Sequence, residues 1–320
     1  MQWGHIKTLF ILSFLILNVY LIVQFVQKQQ EADLGILFSQ ETTIEDQLAA
    51  DNITITDLDM DIEEATYVLA SQKEFNESEL EQLSNLDGQF ITVIDDNFIV
   101  SQLEKPVPVS EDSTGEEISQ LVKSNILYGE EFAFWDWHEE LNILIFFQQI
   151  EGRTVYYNEN GPGLLLLYLN EKNEITHYTQ TMLGEGEPQG SGSKSLIQPI
   201  KAIEALYNSH DLLPNEEVTD VDIGYYSRLI EEGEQIFAPT WNVVVNGERN
   251  YFINAIEGII FSNVDEEFLD NIIDETLEKV EPLMNDEDED NDEDDDDGEE
   301  ENYHSFIRML EEKQQFEKSE

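Results

Sequence analysis

From Ile6 to Val26 the chain reads IKTLFILSFLILNVYLIVQFV, with one charge, Lys7, and two side-chain amides, Asn18 and Gln24. At about 1.5 Å of rise per residue, a helix of this length crosses a hydrocarbon core of about 30 Å. A cleaved signal peptide would show a shorter apolar region ending in small residues, whereas VYLIVQFVQKQQ stands there. An uncleaved single-pass anchor in the cell membrane is therefore expected. His5, Lys7 and the amino terminus face only Lys28 across the span, and a short stub precedes a long acidic remainder with no second span. The expected orientation is amino terminus in the cytoplasm and bulk outside the cell. Asn18 and Gln24 are six residues apart, near two helical turns, so both can face one neighbouring helix and hydrogen-bond to it in lipid. The plainer alternative for Gln24 is that it reaches the headgroups.

The remainder is dominated by acid. Fifteen Lys and Arg stand against 71 Asp and Glu, a net charge of −56. Removing the 14 acidic residues of Asp286–Glu301 still leaves −42, so the acidity is general. Such a surface repels a nucleic-acid backbone, and nucleic acid is excluded as a partner. There are no cysteines, which removes disulfides, thiol nucleophiles and Cys-ligated metal centres together. At 320 residues and 40% hydrophobic content, the chain has material for about two domains with real cores.

After the anchor, residues 41–50 predict a polar helix with Ile44, Leu48 and Ala49 on one face, a juxtamembrane stalk. Strands are predicted at 65–70, at 90–94 and at 98–103, the last two joined as a hairpin through Asp95-Asp96-Asn97. A short helix at 78–86 precedes the hairpin. Residues 105–115 read as a loop before a helix carrying Ile118, Leu121, Val122 and Ile126. Strands at 131–138, 143–151, 154–157, 164–169 and 175–183 follow, separated by turn signals at Glu151-Gly152 and at 158–163, and imply an antiparallel meander. Residues 184–193, with four glycines, read as a flexible break. A helix at 197–207 carries Pro199 in its first turn and buries Ile200, Ile203, Leu206 and Tyr207. Strands at 218–226, 235–245 and 249–253 complete the pattern. Asn246-Gly247 between the last two is a type I′ hairpin signal, and Trp241, Val243 and Val245 share one face. The fold class is α+β: antiparallel sheets with helices packed on one face, in two lobes. The expected divisions are an anchor over 1–30, a first lobe over 31–151, a second over 152–264, and an acidic tail over 265–320 ending in an amphipathic helix.

Diagnostic chemistry is sparse. His138, His177 and His210 form no H-x-x-x-H or H-E-x-x-H pattern, so no metal is expected. In Trp135-Asp136-Trp137-His138, strict alternation puts both tryptophans on one face, where core packing outweighs ligand stacking. Gly184-Glu185-Gly186 lacks the Lys-Ser/Thr of a phosphate loop. With Gly298 in the sixth place of an EF-hand, the twelfth is His304 where Glu is required. The acidic run reads as a solvated, disordered spacer. Beyond it Tyr303, Phe306, Ile307 and Leu310 recur at helical spacing, either a docking helix or a frayed end. No catalytic residue and no cofactor are expected.

Four segments carry a family resemblance: IKTLFILSFLILNVYLI at the amino terminus, ITHYTQTML at 175–183, IQPIKAIEALY at 197–207, and 223–260 with GYY, APTWNVVVNG and YFINAIEGII. Together they resemble the YycI family, membrane-anchored regulators of an essential cell-wall two-component system. The last block is the most specific. Within it Tyr225, Tyr226, Trp241, Asn246, Gly247, Tyr251, Asn254 and Gly258 are candidates for fold-determining or partner-contacting positions. The resemblance implies a non-enzymatic role: an outer domain that pairs with the sister regulator YycH, both tuning a sensor histidine kinase in part through transmembrane helices. The acidic run and the terminal segment depart from the family pattern. A different class of function, an extracytoplasmic ligand- or cation-binding sensor acting alone, stays open.

Overall fold

The computed structural model describes residues 7, 10–15, 17–20, 43–56, 63–156, 162–231, 234–261, 268–285 and 297–317. Where described, residues 10–20 are helical and their side chains exposed; among the described residues no helix is long and apolar enough to cross a membrane. Gln24, the turn at 158–161 and the acidic run at 286–296 lie outside the described residues.

Helix α1 spans Ile44–Ala50 and strand β1 Thr54–Ile55. Then come β2 (Glu64–Ser71), α2 (Glu77–Ser84), β3 (Gln89–Ile94), β4 (Phe98–Pro108), α3 (Gly115–Asn125), β5 (Phe132–His138) and β6 (Ile143–Ile150). They are followed by β7 (Arg153–Tyr156), β8 (Leu164–Leu169), β9 (Glu174–Thr181), β10 (Glu187–Ser195) and α4 (Pro199–Ser209). The chain continues through β11 (Glu217–Glu231), β12 (Glu234–Val245), β13 (Arg249–Asn254), α5 (Phe268–Asn285) and α6 (Asp297–Glu317). By contacts the chain divides into two compact units, Met1–Thr54 with Leu213–Glu216, and Ile55–Leu212 with Glu217–Glu320.

In the smaller unit Thr43 caps α1 by accepting from the Asp46 amide at 3.3 Å. Ile44 and Leu48 are buried, while Ala49, expected beside them, is exposed. The Asn215 amide donates to the Asp51 carbonyl at 2.9 Å, and Thr54 to Glu216 at 3.1 Å, which fastens the 213–216 segment behind the helix.

The larger unit is built on a mixed sheet whose hydrogen-bonded order is β10-β2-β12-β11-β7-β6-β8-β9-β4-β3, with β13 beside β12 and β5 beside β6. The sheet is not purely antiparallel: β7 runs parallel to β11, with Val155 opposite Tyr225 and Tyr156 opposite Tyr226. Three strands and a helix separate β7 from β11 in sequence, long enough for a parallel return that no hairpin turn announces. The expected loop at 105–108 is instead the end of β4, which resumes pairing with β9 after an irregularity between Gln102 and Val107. The expected break at 184–193 contains most of β10, an edge strand paired with β2. Its glycines sit at an irregularity in that ladder, where Gly190 and Gly192 adopt φ of +94° and +121°.

Helices cover both faces of β4, β6, β8 and β9, not one. On the first face Ile99, Leu144, Phe146, Leu165 and Leu167 pack with Leu83 of α2 and Ile118 and Val122 of α3. On the second, Val100, Ile143, Ile145, Phe147, Leu166 and Tyr168 pack with Ile272, Ile273 and Leu277 of α5 and Phe306, Ile307 and Leu310 of α6. Residues expected to form an acidic tail thus supply a helical layer of the core. The stripe Phe268, Leu269, Ile272, Ile273, Leu277 and Val280 has helical spacing and is buried throughout, so this layer forms for the ordinary hydrophobic reason.

One local expectation reverses. A bulge between Phe134 and Asp136 shifts the alternation of β5 by one residue. Trp135 consequently packs on the second face against Phe147 and Tyr156, each at 5.4 Å between ring centroids, while Trp137 joins the first.

Candidate functional site

The hairpin β12–β13 holds most of the candidate residues. Asn246 and Gly247 adopt φ of +56° and +74°, the geometry of a type I′ turn. The Asn246 Oδ1 accepts from the Glu217 amide at 2.9 Å and the Gly247 amide donates to Thr219 Oγ1 at 3.0 Å, which locks the turn to β11. Trp241 is fully buried between Ile223 of β11 and Ile253 of β13, its Nε1 donating to the Ile197 carbonyl at 3.0 Å. The Tyr251 hydroxyl donates to the Asp211 carbonyl at 3.0 Å and accepts from Arg249 Nη1 at 2.8 Å. Asn254 Oδ1 accepts from the amides of Ile256 and Glu257, closing the turn in which Gly258 has φ of +68°.

Tyr225 is buried, and its hydroxyl accepts from Arg153 Nη1 at 3.4 Å. Desolvation raises its pKa against the pull of that guanidinium. Tyr226 is half-buried and stacks on Phe261 with ring centroids 4.8 Å apart. Trp241, Tyr225, Tyr251 and Asn254 are therefore interior groups that shape the hairpins. A docking partner would meet their exposed neighbours rather than these side chains. Asn18 lies in the exposed amino-terminal helix.

A second constellation lies on the second face, at the β3 end of the sheet. The ladders place Phe90 opposite Gln102, Gln102 opposite His177, and His177 opposite Tyr168, one row across β3, β4, β9 and β8. Phe306 of α6 lies on this row, stacked on His177 at 5.0 Å and edge-on to Tyr168 at 5.2 Å. Beside this row is a cavity of about 210 Å³ lined by Phe90, Thr92, Val100, Gln102, His177 and Phe306 together with Leu83, Ser84, Gln89 and Ile91.

His177 is 6% exposed. Its Nδ1 lies 3.0 Å from Thr176 Oγ1, and that hydroxyl donates to the Tyr168 carbonyl at 3.3 Å. The tautomer of His177 sets which of Nδ1 and Thr176 Oγ1 donates in this pair. Burial pushes the His177 pKa down to about 4, so the ring is neutral at ordinary pH. Both His177 Nε2 and Gln102 Oε1 are buried with no hydrogen-bond partner among the described residues.

Sequence reasoning weighed His177 only for metal spacing, and among the described residues no cluster of His, Asp and Glu could hold a metal ion. The pairing with Gln102 follows from the β4–β9 register, and the roof from a helix two hundred residues further along β4's chain direction; neither leaves a local sequence signal.

Three solved structures are similar in outline. An uncharacterized protein from Eubacterium rectale ATCC 33656 shares 11% identity over 67% of this chain and 92% of that one, with a TM-score of 0.41. The C-terminal domain of Bacillus megaterium YpeB shares 12% over 59% and 96%, TM-score 0.32. YycH from Bacillus subtilis shares 13% over 57% and 51%, TM-score 0.31, so this chain spans about half of that one. No curated protein matches the chain. Residues 32–256, well over half of the sequence, match the family model described as YycI protein, and the chain belongs to the YycI family.

Proposed function

We propose that this chain is a non-enzymatic regulator of a sensor histidine kinase in cell-wall homeostasis, anchored in the cell membrane by its amino-terminal helix and acting with a YycH-like partner. The observation that carries the reading is the family match over residues 32–256. The anchor is supported by the described part of the amino-terminal helix, where Phe10, Ile11, Leu12, Phe14, Leu15, Leu17, Val19 and Tyr20 keep 49–67% of their surface exposed. Each such side chain gains roughly 1.5–3 kcal/mol on leaving water, and lipid is the medium that supplies this to all of them at once. In the proposed orientation the acidic bulk faces the outside.

Co-purification of the full chain from mild detergent tests the reading: the expected result is a stable complex with a YycH-like protein that also retains the kinase. Absence of that complex, with both proteins folded, would end the proposal. Replacing Asn18 and Gln24 together by Leu keeps the segment apolar and removes two amides able to hydrogen-bond to a neighbouring helix, each such bond being worth about 0.6–2 kcal/mol in lipid. The expected outcome is normal insertion with weaker association; unchanged association would make both residues bystanders.

A further inference from the structure

The main hydrogen-bonded order of the sheet ends in two strands of opposite character. At one end β10 carries Pro188, Lys194 and an irregular ladder, three features that blunt an edge against further pairing. At the other end β3 reads Gln89-Phe90-Ile91-Thr92-Val93-Ile94, with no charge, no proline and no irregularity against β4. Ladder geometry fixes which backbone groups of β3 are already used. Ile94 pairs with Phe98 across the hairpin turn, Thr92 with Val100 and Phe90 with Gln102, and the Glu104 amide donates to the Gly88 carbonyl at 2.9 Å. Bonded and non-bonded pairs alternate in an antiparallel ladder, so these even-numbered residues exchange hydrogen bonds with β4, and the N–H and C=O groups of Ile91 and Val93 point away from it. Among the described residues those groups make no other backbone bond. No residue of β3 is buried, whereas every residue of β8 is.

We propose that the outer edge of β3 docks an extended segment of another protein, uncharged along the 6 residues of β3 and carrying Lys or Arg at both ends, which joins the sheet as an antiparallel strand. The extended form follows from the outward N–H and C=O groups of Ile91 and Val93, which only another backbone matches in spacing. The uncharged middle follows from the side chains. Ile91 and Val93 pack on the first face, Phe90, 48% exposed, points to the other, and none of them has a neighbouring strand on its outer side. The basic ends follow from charge: Asp87 precedes β3, Asp95 and Asp96 follow it, and all three are exposed. Lys105, the basic residue across the hairpin, is offset by its neighbour Glu104. The same charges oppose a second copy as the occupant. Antiparallel pairing of β3 with itself, centred on Ile91, sets Asp87 against Asp95 at both ends, between two chains of net charge −56 each. The inference does not depend on the kinase or on a YycH-like partner.

The probe is a fluorescein-labelled peptide, Lys-Lys-Val-Thr-Val-Thr-Val-Thr-Lys-Lys, with two relatives. In one, Glu replaces every Lys; in the other, Pro replaces every uncharged residue, which keeps the charges and removes the N–H donors of the middle. Each is titrated into the full chain held in nanodiscs of zwitterionic lipid, and amide hydrogen exchange is read by mass spectrometry. The Lys peptide is expected to bind at least about tenfold more tightly than either relative and to slow exchange across residues 89–94. Val93→Pro removes an outward N–H that β4 does not use, and is expected to abolish that protection. Asp87→Asn, Asp95→Asn and Asp96→Asn together remove the charges with a residue that tolerates the positive φ of positions 95 and 96, and are expected to weaken the Lys peptide about tenfold at an unchanged melting temperature. No binding, equal binding of the Lys and Pro peptides, binding without slowed exchange at 89–94, or a chain that dimerises through 89–94 without peptide would overturn the proposal. The aspartate variant decides the matter if Val93→Pro does not fold.

Discussion

The imidazole of His177 stacks on the ring of Phe306, centroids 5.0 Å apart and planes 26° from parallel. One residue belongs to a central strand and the other to the terminal helix, so the contact measures whether α6 is part of the folded unit. Phe306 is 1% exposed and also meets Tyr168 edge-on. Truncating a buried Phe costs about 3–5 kcal/mol, through lost burial and the void left behind. Phe306→Ala should lower the denaturation midpoint accordingly and make the residues after the acidic run sensitive to brief proteolysis. A loss below about 1 kcal/mol, with proteolysis unchanged, would mean that α6 contributes nothing to stability.

The same histidine gives a pH signature. Its folded pKa, about 4, lies below its ordinary value of 6.5 because burial disfavours the imidazolium. The unfolded chain therefore binds the extra proton first as pH falls. The contribution of His177 is fully present above pH 6.5 and is lost between 6.5 and about 4, a change of roughly 3 kcal/mol. Glu131 and Asp222, whose carboxyls are raised by burial, act in the opposite sense, so the measurement is the difference between wild type and His177→Phe. Stability of the variant should fall less steeply over that window; parallel curves would show that His177 titrates as if exposed.

Much of this architecture was legible because its signals are local. Pro199 announces the start of α4, Asn246-Gly247 the turn, and the runs at 143–147 and 164–169 their strands. Those two runs also carried an unused signal: ILIFF and LLLLYL are apolar at successive positions, which requires both faces to be covered. Reading them that way would have called for a second helical layer, and the stripe from Phe268 to Val280 was the available candidate. It was hidden by its acidic neighbours, since the mean composition of 265–320 masks the helical spacing within it. The bulge at Trp135, the parallel pairing of β7 with β11 and the Gln102–His177 juxtaposition depend on register between distant segments. No single-sequence pattern encodes them.

At Gly247 the backbone alone sets the cost of substitution. A Cβ added there meets nothing within 4 Å, so there is no clash to relieve. The φ of +74° is what a branched residue resists. Gly247→Val should destabilise the larger unit by ~1 kcal/mol or more, and Gly247→Asn, which tolerates left-handed geometry, by distinctly less. Equal effects in chemical denaturation would point to the side chain rather than to φ.

Trp241 makes two separable contributions, and a pair of substitutions divides them. Its indole fills space between Ile223 and Ile253, and its Nε1 donates to the carbonyl of Ile197, two residues before α4 begins. The Ile197 amide in turn donates to Ala255 at 2.7 Å, so this residue ties the entry of α4 to β12 and to the end of β13. Trp241→Ala removes both contributions, and large-to-small changes of this kind cost about 3–5 kcal/mol. Trp241→Phe keeps much of the apolar volume but leaves the Ile197 carbonyl without its donor, which costs about 1–3 kcal/mol. The Phe variant should therefore lie between wild type and Ala in denaturant melts. Its amide hydrogen exchange should quicken first in α4, around Ala202 to Leu206, while the centre of β12 stays protected. A Trp241→Ala protein that melts like wild type would contradict the buried position altogether; faster exchange spread evenly over β11, β12 and β13 in the Phe variant would show that packing, not the Nε1 bond, holds the helix in place.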